Sequence, residues 1–219
     1  MPEPYAQIGG VTLYCADCRD VLPQIPASTV VTDPVWPGAE AELEGRSSDP
    51  ERLLRSTLQQ VTLGASRLAI QIGCDTDPRF LNAVPERWDF FRVAWLELAN
   101  KVPRGRLLHT SDVAYLFGDP PPSREGHHVV PGRYVNPDPN GKQRDHPTPR
   151  KLGHVEWLVK WWSSPTDTII DPFAGSGTTG LAAMRWDREC VLIEIKEEHC
   201  ETAARALEQE AKQPTLAYA

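Results

Sequence analysis

A glycine-rich turn near the end of the chain separates an apolar run from a helical one. Residues 168–170 are β-branched and predict a strand, and Gly175-Ser176-Gly177 stands directly before a helical pattern over residues 177–185. Small residues at such a turn allow the backbone to approach a ligand closely. The segment therefore predicts a strand, a ligand-binding turn and a helix, which is the local unit of an α/β fold.

The rest of the chain alternates between strand-like and helix-like patterns. β-branched and apolar runs predict strands at residues 11–14, 29–32, 67–72, 92–96, 112–117, 168–170 and 190–195. Spaced apolar residues predict helices at residues 39–63, 154–162, 177–185 and 197–212. This alternation is typical of an α/β layered fold with a largely parallel sheet.

Length and composition favour one domain, spanning residues 1–219, because a chain of 219 residues that is 40% hydrophobic can bury one sizeable core. Residues 118–145 are rich in Pro, Gly, His, Asn and Arg and predict a loop-rich insertion. Residues 101–160 carry ten Lys or Arg against six Asp or Glu, in a chain of net charge −7. This asymmetry permits a basic face, although a solvated loop region would show the same pattern.

The five cysteines are an odd number in a chain large enough to be stable without cross-links, so reduced thiols are expected. Cys15 and Cys18 have CxxC spacing, but no second pair accompanies them and no metal is expected. No apolar run approaches the roughly 20 residues of a membrane span, and the start lacks the regions of a signal peptide. We therefore expect a soluble, cytoplasmic protein without a membrane partner.

Glu194 follows the glycine turn at the end of the next apolar strand. An acid at this position can accept hydrogen bonds from both hydroxyls of a ribose. No lysine follows the glycines in the manner of a triphosphate-binding loop. The spacing therefore favours a nucleoside-type cofactor over a nucleoside triphosphate.

The run Asp-Pro-Phe-Ala-Gly-Ser-Gly-Thr-Thr at residues 171–179 resembles the methionine-cofactor motif of amino-group DNA methyltransferases. Residues 13–18, the Asp-Pro-Val-Trp run at 33–36, the region 97–117 and residues 146–150 resemble the same family in the same order. Because the catalytic motif precedes the cofactor motif, the chain resembles the permuted β group. The resemblance implies a three-layer Rossmann-like methyltransferase fold, with a mostly parallel seven-stranded sheet and a circularly permuted motif order.

The resemblance also implies S-adenosylmethionine as the cofactor and assigns residues to it. Glu194 would take the ribose, and Asp17 would lie near the adenine of the cofactor. The methionine part would be covered by the segment of His146 and Thr148, with Arg150 where the family usually has Lys. The residues that would shape the pocket are Asp171, Phe173, Gly175, Ser176 and Gly177.

Methylating an exocyclic amine requires the nitrogen lone pair to face the methyl donor, so two acceptors must hold the amino hydrogens. The Asp33 carboxylate and the Pro34 carbonyl would be those acceptors, and Trp36 would stack on a base that has left the duplex. The implied function is methylation of adenine N6 in DNA. Cytosine N4 is the nearest variant, because the same acceptors serve both amines.

Val35 and Trp36 depart from the family pattern Asp-Pro-Pro-Tyr. Tryptophan stacks at least as well as tyrosine but is larger and has no hydroxyl, while valine restores a backbone N–H. The alternatives are an enzyme acting on RNA or a small amine, and a binding or regulatory protein that keeps the pocket without catalysis.

DNA, double- or single-stranded, is the partner that the resemblance implies for a monomer or homodimer. The loop-rich region 118–145 is the candidate for target contact, with Tyr134 available for stacking. The candidate phosphate-contacting side chains are Arg124, His127, His128, Arg133, Lys142 and Arg144.

Overall fold

A computed structural model of the chain describes residues 2–35, 37, 49–73, 76–123, 126, 129–135 and 152–213. Over these residues the fold is one nine-stranded sheet with helices on both faces. The strands are β1 (Ala6–Ile8), β2 (Val11–Cys15), β3 (Thr29–Thr32), β4 (Arg67–Ile72), β5 (Phe90–Arg104), β6 (Leu107–Gly118), β7 (Arg133–Tyr134), β8 (Thr168–Asp171) and β9 (Glu189–Glu194). The helices are α1 (Cys18–Val21), α2 (Pro50–Gln60), α3 (Leu152–Trp162), α4 (Thr178–Arg185) and α5 (Glu197–Ala211).

The sheet order is β1-β2-β9-β8-β3-β4-β6-β5-β7. Neighbouring strands are parallel from β2 to β4, and the pair β5 and β7 is parallel as well. The antiparallel pairs are β1 with β2, β4 with β6 and β5 with β6. The expected α/β fold with a mostly parallel sheet is therefore confirmed.

Two hydrophobic cores lie on opposite faces of this sheet. Val31 and Ile169 pack in the core covered by α3, α4 and α5, whereas Val30 and Ile170 pack in the core covered by α1 and α2. Successive residues of a strand point to opposite faces, so these uninterrupted apolar runs supply both cores at once. The result is the three-layer arrangement that the resemblance implied.

The expected count of seven strands is wrong for the described residues, which form nine. All seven predicted strands are present, and β1 and β7 extend the sheet at its two edges. These edge strands have three and two residues, too few to show an alternating pattern in the sequence. Backbone pairing with β2 and β5 is what makes them strands.

The helix predicted over residues 39–63 is shorter than expected within the described residues. It begins after Asp49, whose side chain accepts a hydrogen bond from the Arg52 N–H at 2.8 Å, and it ends at Gln60. Val61 leaves the helical conformation and is buried. Residues 38–48 lie outside the described residues.

Cys18 of the CxxC segment is packed in the hydrophobic core between α1 and α2. Cys18 is buried and lies 3.4 Å from the Thr57 hydroxyl, and burial raises the pKa of its thiol to about 11. A thiol that stays protonated is a poor metal ligand and a poor nucleophile. Among the described residues, no group of three or more His, Cys, Asp or Glu side chains is arranged to hold a metal ion.

None of the helices in the described ranges combines the length and the apolar character that crossing a membrane requires.

Candidate active site

The candidate site lies where the carboxyl ends of four parallel strands meet. β2, β9, β8 and β3 are neighbours in this order, and Asp17, Glu194, Asp171 and Asp33 stand at or just beyond their ends. β8 and β3 are neighbours, and the strands that follow them in sequence lie on opposite sides of this pair, β9 next to β8 and β4 next to β3. Ligands of open α/β sheets bind in the crevice that such a reversal creates. The topology therefore brings together four acids that are far apart in sequence.

Asp171 is buried beneath the glycine turn and organises it. One carboxylate oxygen, Oδ1, accepts hydrogen bonds from the Thr32 hydroxyl at 2.8 Å and the Phe173 N–H at 3.1 Å. The other, Oδ2, accepts one from the Thr179 hydroxyl at 2.6 Å. Burial raises the pKa of Asp171 to about 6, while the three donors act in the opposite direction. Asp171 thus ties β3, the turn and α4 to one another.

The two glycines of the turn are required for different reasons. Gly177 has a φ of +85°, and a Cβ added there would lie 2.9 Å from the Cβ of Ala203 on α5. Gly175 has a φ of +52°, but no described atom lies within 4 Å of the place where its Cβ would stand. Gly177 therefore lets α4 pack closely on α5. The backbone at Gly175 faces open space, which suits the approach of a ligand.

The Glu194 carboxylate lies beside this turn, with its side chain 2% exposed. Its Oε2 atom accepts a hydrogen bond from the Gly175 N–H at 2.9 Å. Its Oε1 atom accepts bonds from the N–H groups of Ile195 at 3.0 Å and Lys196 at 2.9 Å, and the His199 Nδ1 atom lies 3.6 Å away. A ribose bound here would share the carboxylate oxygens with these backbone donors.

Asp17 stands at the same edge, one strand away from Glu194. The two strands are in register, with Cys15 opposite Glu194, and the Ala16 N–H donates to the Glu194 carbonyl at 2.9 Å. The Asp17 side chain begins α1 by accepting the Arg19 N–H at 2.9 Å, and it also pairs with the Arg19 guanidinium. These hydrogen bonds lower the pKa of Asp17, so it is ionised at neutral pH.

Asp33 directly follows the last residue of β3, the strand next to β8 in the sheet. It is half-buried, and Pro34 and Val35 after it are buried. The preceding residue, Thr32, donates its hydroxyl to Asp171, so the Asp-Pro segment is anchored directly to the strand that carries the glycine turn. Val35, at the position of the second proline in the motif that the segment resembles, is 5% exposed. The departure from that motif therefore leaves an apolar side chain in the interior.

Several predicted site residues lie outside the described residues: Trp36, His146, Thr148 and Arg150. The remaining members of the predicted pocket, Phe173 and Ser176, are partly buried within the turn itself. They stand between Asp171 and α4, as the motif predicted.

The target-contacting region is described only in part, since Arg124, His127, His128, Lys142 and Arg144 lie outside the described residues. Arg133 is exposed on β7. Tyr134 is partly buried, and its ring packs edge-on against His154, with 5.1 Å between centroids. A Cβ on Gly153 would lie 2.5 Å from the Tyr134 hydroxyl, so this contact is close.

An aromatic cavity of about 200 Å³ lies away from the site. Trp157, Trp161 and Trp162 of α3 line it together with Phe91 and with Leu116 of β6. Leu116 stands opposite Ala69 of β4, and the same stretch of β6 ends at Gly118, opposite the first residue of β4. The residues that line the cavity belong to α3, β5, β6 and the chain that follows β6, and none of them belongs to the glycine turn.

The sequence reasoning missed four residues that support the site: Thr32, Thr179, Arg19 and His199. Thr32 directly precedes the Asp-Pro segment, and Thr179 ends the cofactor motif. Their hydroxyls acquire a role only through the inward orientation of Asp171, which no local pattern indicates.

Known proteins resemble this chain in one segment of its sequence. A family model described as DNA methylase matches residues 128–205. The type II methyltransferase M2.MboI of Moraxella bovis is 40% identical over 63 residues, which are 29% of this chain and 23% of that protein. The DNA adenine methyltransferase YhdJ of Escherichia coli (strain K12) is 32% identical over 96 residues, which are 40% of this chain and 31% of that protein. The aligned segments thus span less than a third of these relatives.

Solved structures share the fold over most of the chain. The M1.HpyAVI–SAM complex superposes with a TM-score of 0.66 at 20% identity, covering 90% of this chain and 98% of that one. The cytosine-N4-specific PvuII DNA methyltransferase has a TM-score of 0.64 at 15% identity, covering 95% of this chain and 94% of that one. These structures thus show the fold of the chain, and the segment of residues 128–205 is similar to DNA methylases.

Proposed function

We propose that this protein is a methyltransferase that uses S-adenosylmethionine to methylate the exocyclic N6 amine of adenine in DNA. The observation that carries the proposal is the anchoring of the Asp33-Pro34 segment to the glycine turn. The Thr32 hydroxyl, one residue before Asp33, donates to Asp171 at 2.8 Å, across two adjacent parallel strands. A group that orients a substrate amine and a turn that receives a cofactor are thereby held side by side.

The residues at the turn fit S-adenosylmethionine. Gly175 offers an open backbone, and two carboxylates stand nearby, Glu194 at the end of β9 and Asp17 just beyond the end of β2. Glu194 is the proposed ribose acceptor, and Asp17 the proposed neighbour of the adenine. The structure of M1.HpyAVI, which has the same fold, is of a complex with this cofactor. When bound, the cofactor supplies an electrophilic methyl group on a sulfonium.

In the proposed reaction, the Asp33 carboxylate and the Pro34 carbonyl each accept a hydrogen bond from one of the two N–H groups of the target amine. This turns the nitrogen lone pair out of conjugation with the ring and toward the methyl group. Proline has no N–H, so no backbone donor competes at that position. As the N–C bond forms and the S–C bond breaks, the nitrogen gives up one proton to Asp33, which passes it to solvent. Trp36 is the proposed stacking partner of the extruded base.

Adenine is the proposed base, supported by the similarity to YhdJ, a DNA adenine methyltransferase. Cytosine N4 is the second candidate, because PvuII methyltransferase, which shares the fold, is cytosine-N4-specific. The same pair of acceptors can hold either amine, so the product distinguishes the two.

The test is mass spectrometry of nucleosides from DNA incubated with the protein and isotope-labelled S-adenosylmethionine. Wild-type protein is expected to yield N6-methyladenine, and Asp33→Asn to lower the rate by about 100-fold or more while leaving cofactor binding in place. Glu208→Gln, an exposed carboxylate on α5 replaced in the same way, is the matched control and keeps full activity.

Two outcomes would change the assignment. A product containing N4-methylcytosine alone would replace adenine by cytosine as the target base. Equal methylated-base content with the wild type and Asp33→Asn would refute the enzymatic mechanism.

A further inference from the structure

β5 and β6 form a hairpin that continues beyond the sheet. β6 pairs with β4 only as far as Val113, which stands opposite Ile72, the last residue of β4. Past that point β6 pairs with β5 alone, up to Arg104 and Leu107 at the tip. Leu107 and Val113 are six positions apart, so at about 3.4 Å per residue the tip lies about 20 Å beyond the end of β4. We call residues 97–112 the β5–β6 arm.

The arm projects from the same edge as the candidate active site. β3 and β4 are parallel, with Thr32 opposite Ile70, so the chain leaves both strands on one side of the sheet. β6 is two strands from β3, and at about 4.8 Å per strand its line lies about 10 Å from that of β3. DNA that presents a base to Asp33 must therefore lie within reach of the arm.

The tip of the arm is positively charged and apolar at once. Residues 103–108 include Arg104 and Arg106 and no acid, in a chain with a net charge of −7. Arg106 is exposed, and Leu107 and Leu108 are 77% and 58% exposed. Of the two acids of the arm, Glu97 pairs with Lys101 at 3.1 Å and Asp112 lies 3.3 Å from the His109 Nε2 atom, both closer to the sheet than the tip. This combination suits a polyanion with an apolar groove.

The turn at the tip keeps the arm narrow. Gly105 and Arg106 have φ values of +53° and +69°, as in the two-residue turns that best fit the twist of a hairpin. A two-stranded ribbon of this kind is narrow enough to enter the major groove of B-form DNA. The register of β5 with β6 shifts between Glu97 and Val102, where the ribbon leaves the sheet, and such irregularities increase the local twist of a strand.

We propose that the β5–β6 arm binds duplex DNA beside the extruded base, with Arg106 on a phosphate and Leu107 and Leu108 in the groove. The proposal rests on the proposed function, because DNA is the substrate assumed there. It places target contact on a hairpin of the catalytic edge, in addition to the loop-rich region 118–145. The position of the arm favours DNA over a second copy of the chain, since the substrate must occupy this edge.

The test measures affinity for a fluorescent duplex by anisotropy across a range of salt concentrations. Arg106→Asn removes the charge but keeps a residue that tolerates positive φ, so the turn is preserved. For this variant, the slope of the logarithm of the binding constant against the logarithm of the salt concentration should decrease in magnitude by about 0.9. Affinity at 0.1 M salt should fall by about eightfold. Leu107→Ser/Leu108→Ser is expected to weaken binding without changing the slope. Arg205→Gln, an exposed arginine on α5, is the matched control and changes neither.

Cofactor binding by calorimetry and methyl transfer by the wild type are measured alongside. If the wild type methylates DNA and Arg106→Asn binds duplex with wild-type affinity and slope, the arm proposal is overturned and the proposed function stands. A wild type that binds the cofactor but neither binds nor methylates DNA overturns both. If sedimentation shows that the leucine variant turns a dimer into a monomer with DNA affinity unchanged, the arm is a dimer contact instead.

Discussion

Replacing either glycine of the turn by alanine separates packing from ligand binding. At Gly177 the added methyl carbon would meet Ala203 at 2.9 Å, closer than real Cβ contacts come, in a backbone with φ of +85°. The left-handed conformation costs about 1–2 kcal/mol for a non-glycine residue. Overpacking adds about 1–3 kcal/mol. Gly177→Ala is therefore expected to lower the free energy of unfolding by about 2–5 kcal/mol.

Gly175→Ala, like Gly177→Ala, places a non-glycine residue in a left-handed backbone conformation, but it creates no steric clash with the described residues. Its φ is +52°, and no described atom lies within 4 Å of the added methyl group. The expected loss of stability is about 1–2 kcal/mol. The methyl group would, however, enter the open space in front of the turn, so affinity for S-adenosylmethionine should fall more for Gly175→Ala than for Gly177→Ala.

The assays are urea unfolding, for the free energy of unfolding, and calorimetry with the cofactor. A double-mutant cycle isolates the contact, because Ala203→Gly removes the atom that the methyl group at Gly177 would strike. The double variant should be more stable than the sum of the single losses by about 1–3 kcal/mol. Equal destabilisation by the two glycine variants, or a coupling energy near zero, would show that the Gly177–Ala203 contact does not limit the side chain at position 177.

Three further predictions concern the acids beneath and beside the turn. Thr32→Val removes one donor to the buried Asp171 and should lower the free energy of unfolding by about 1–3 kcal/mol, measured by urea unfolding against Thr202→Val, an exposed threonine on α5. The pKa of Asp171 is raised from 3.8 to about 6, so the folded state holds this proton more tightly than the unfolded state. The protonated Asp171 therefore stabilises the fold fully below pH 3.8, and this stabilisation is lost as pH rises through 6. Relative to Asp171→Asn, the free energy of unfolding of the wild type should fall by about 3 kcal/mol over that window. A difference between the two proteins that does not change with pH would contradict the raised pKa. Glu194→Gln places an amide where an oxygen accepts backbone N–H groups, and should weaken cofactor binding at least about tenfold by calorimetry; unchanged affinity would remove Glu194 from the site.

Local patterns predicted the elements that carry the site. The alternation of apolar runs identified the seven strands that form the body of the sheet, because a buried parallel strand is recognisable within a few residues. The glycine turn and Asp33-Pro34 were found for the same reason: each is a short run whose chemistry is local. The three-layer fold and the resemblance to one family followed from these runs. The roles assigned to the site residues remain predictions, and Trp36, His146, Thr148 and Arg150 lie outside the described residues.

Only the tertiary structure decided what these residues touch. Thr32 and Asp171 are 139 positions apart, and their hydrogen bond exists because β3 and β8 lie side by side. The edge strands and the β5–β6 arm depend on pairing between distant segments, which intrinsic propensity does not encode. The sequence alone thus predicted which residues would hold a cofactor and orient an amine. Packing determined that Asp171 faces inward to hold the turn, while Gly175 faces open space.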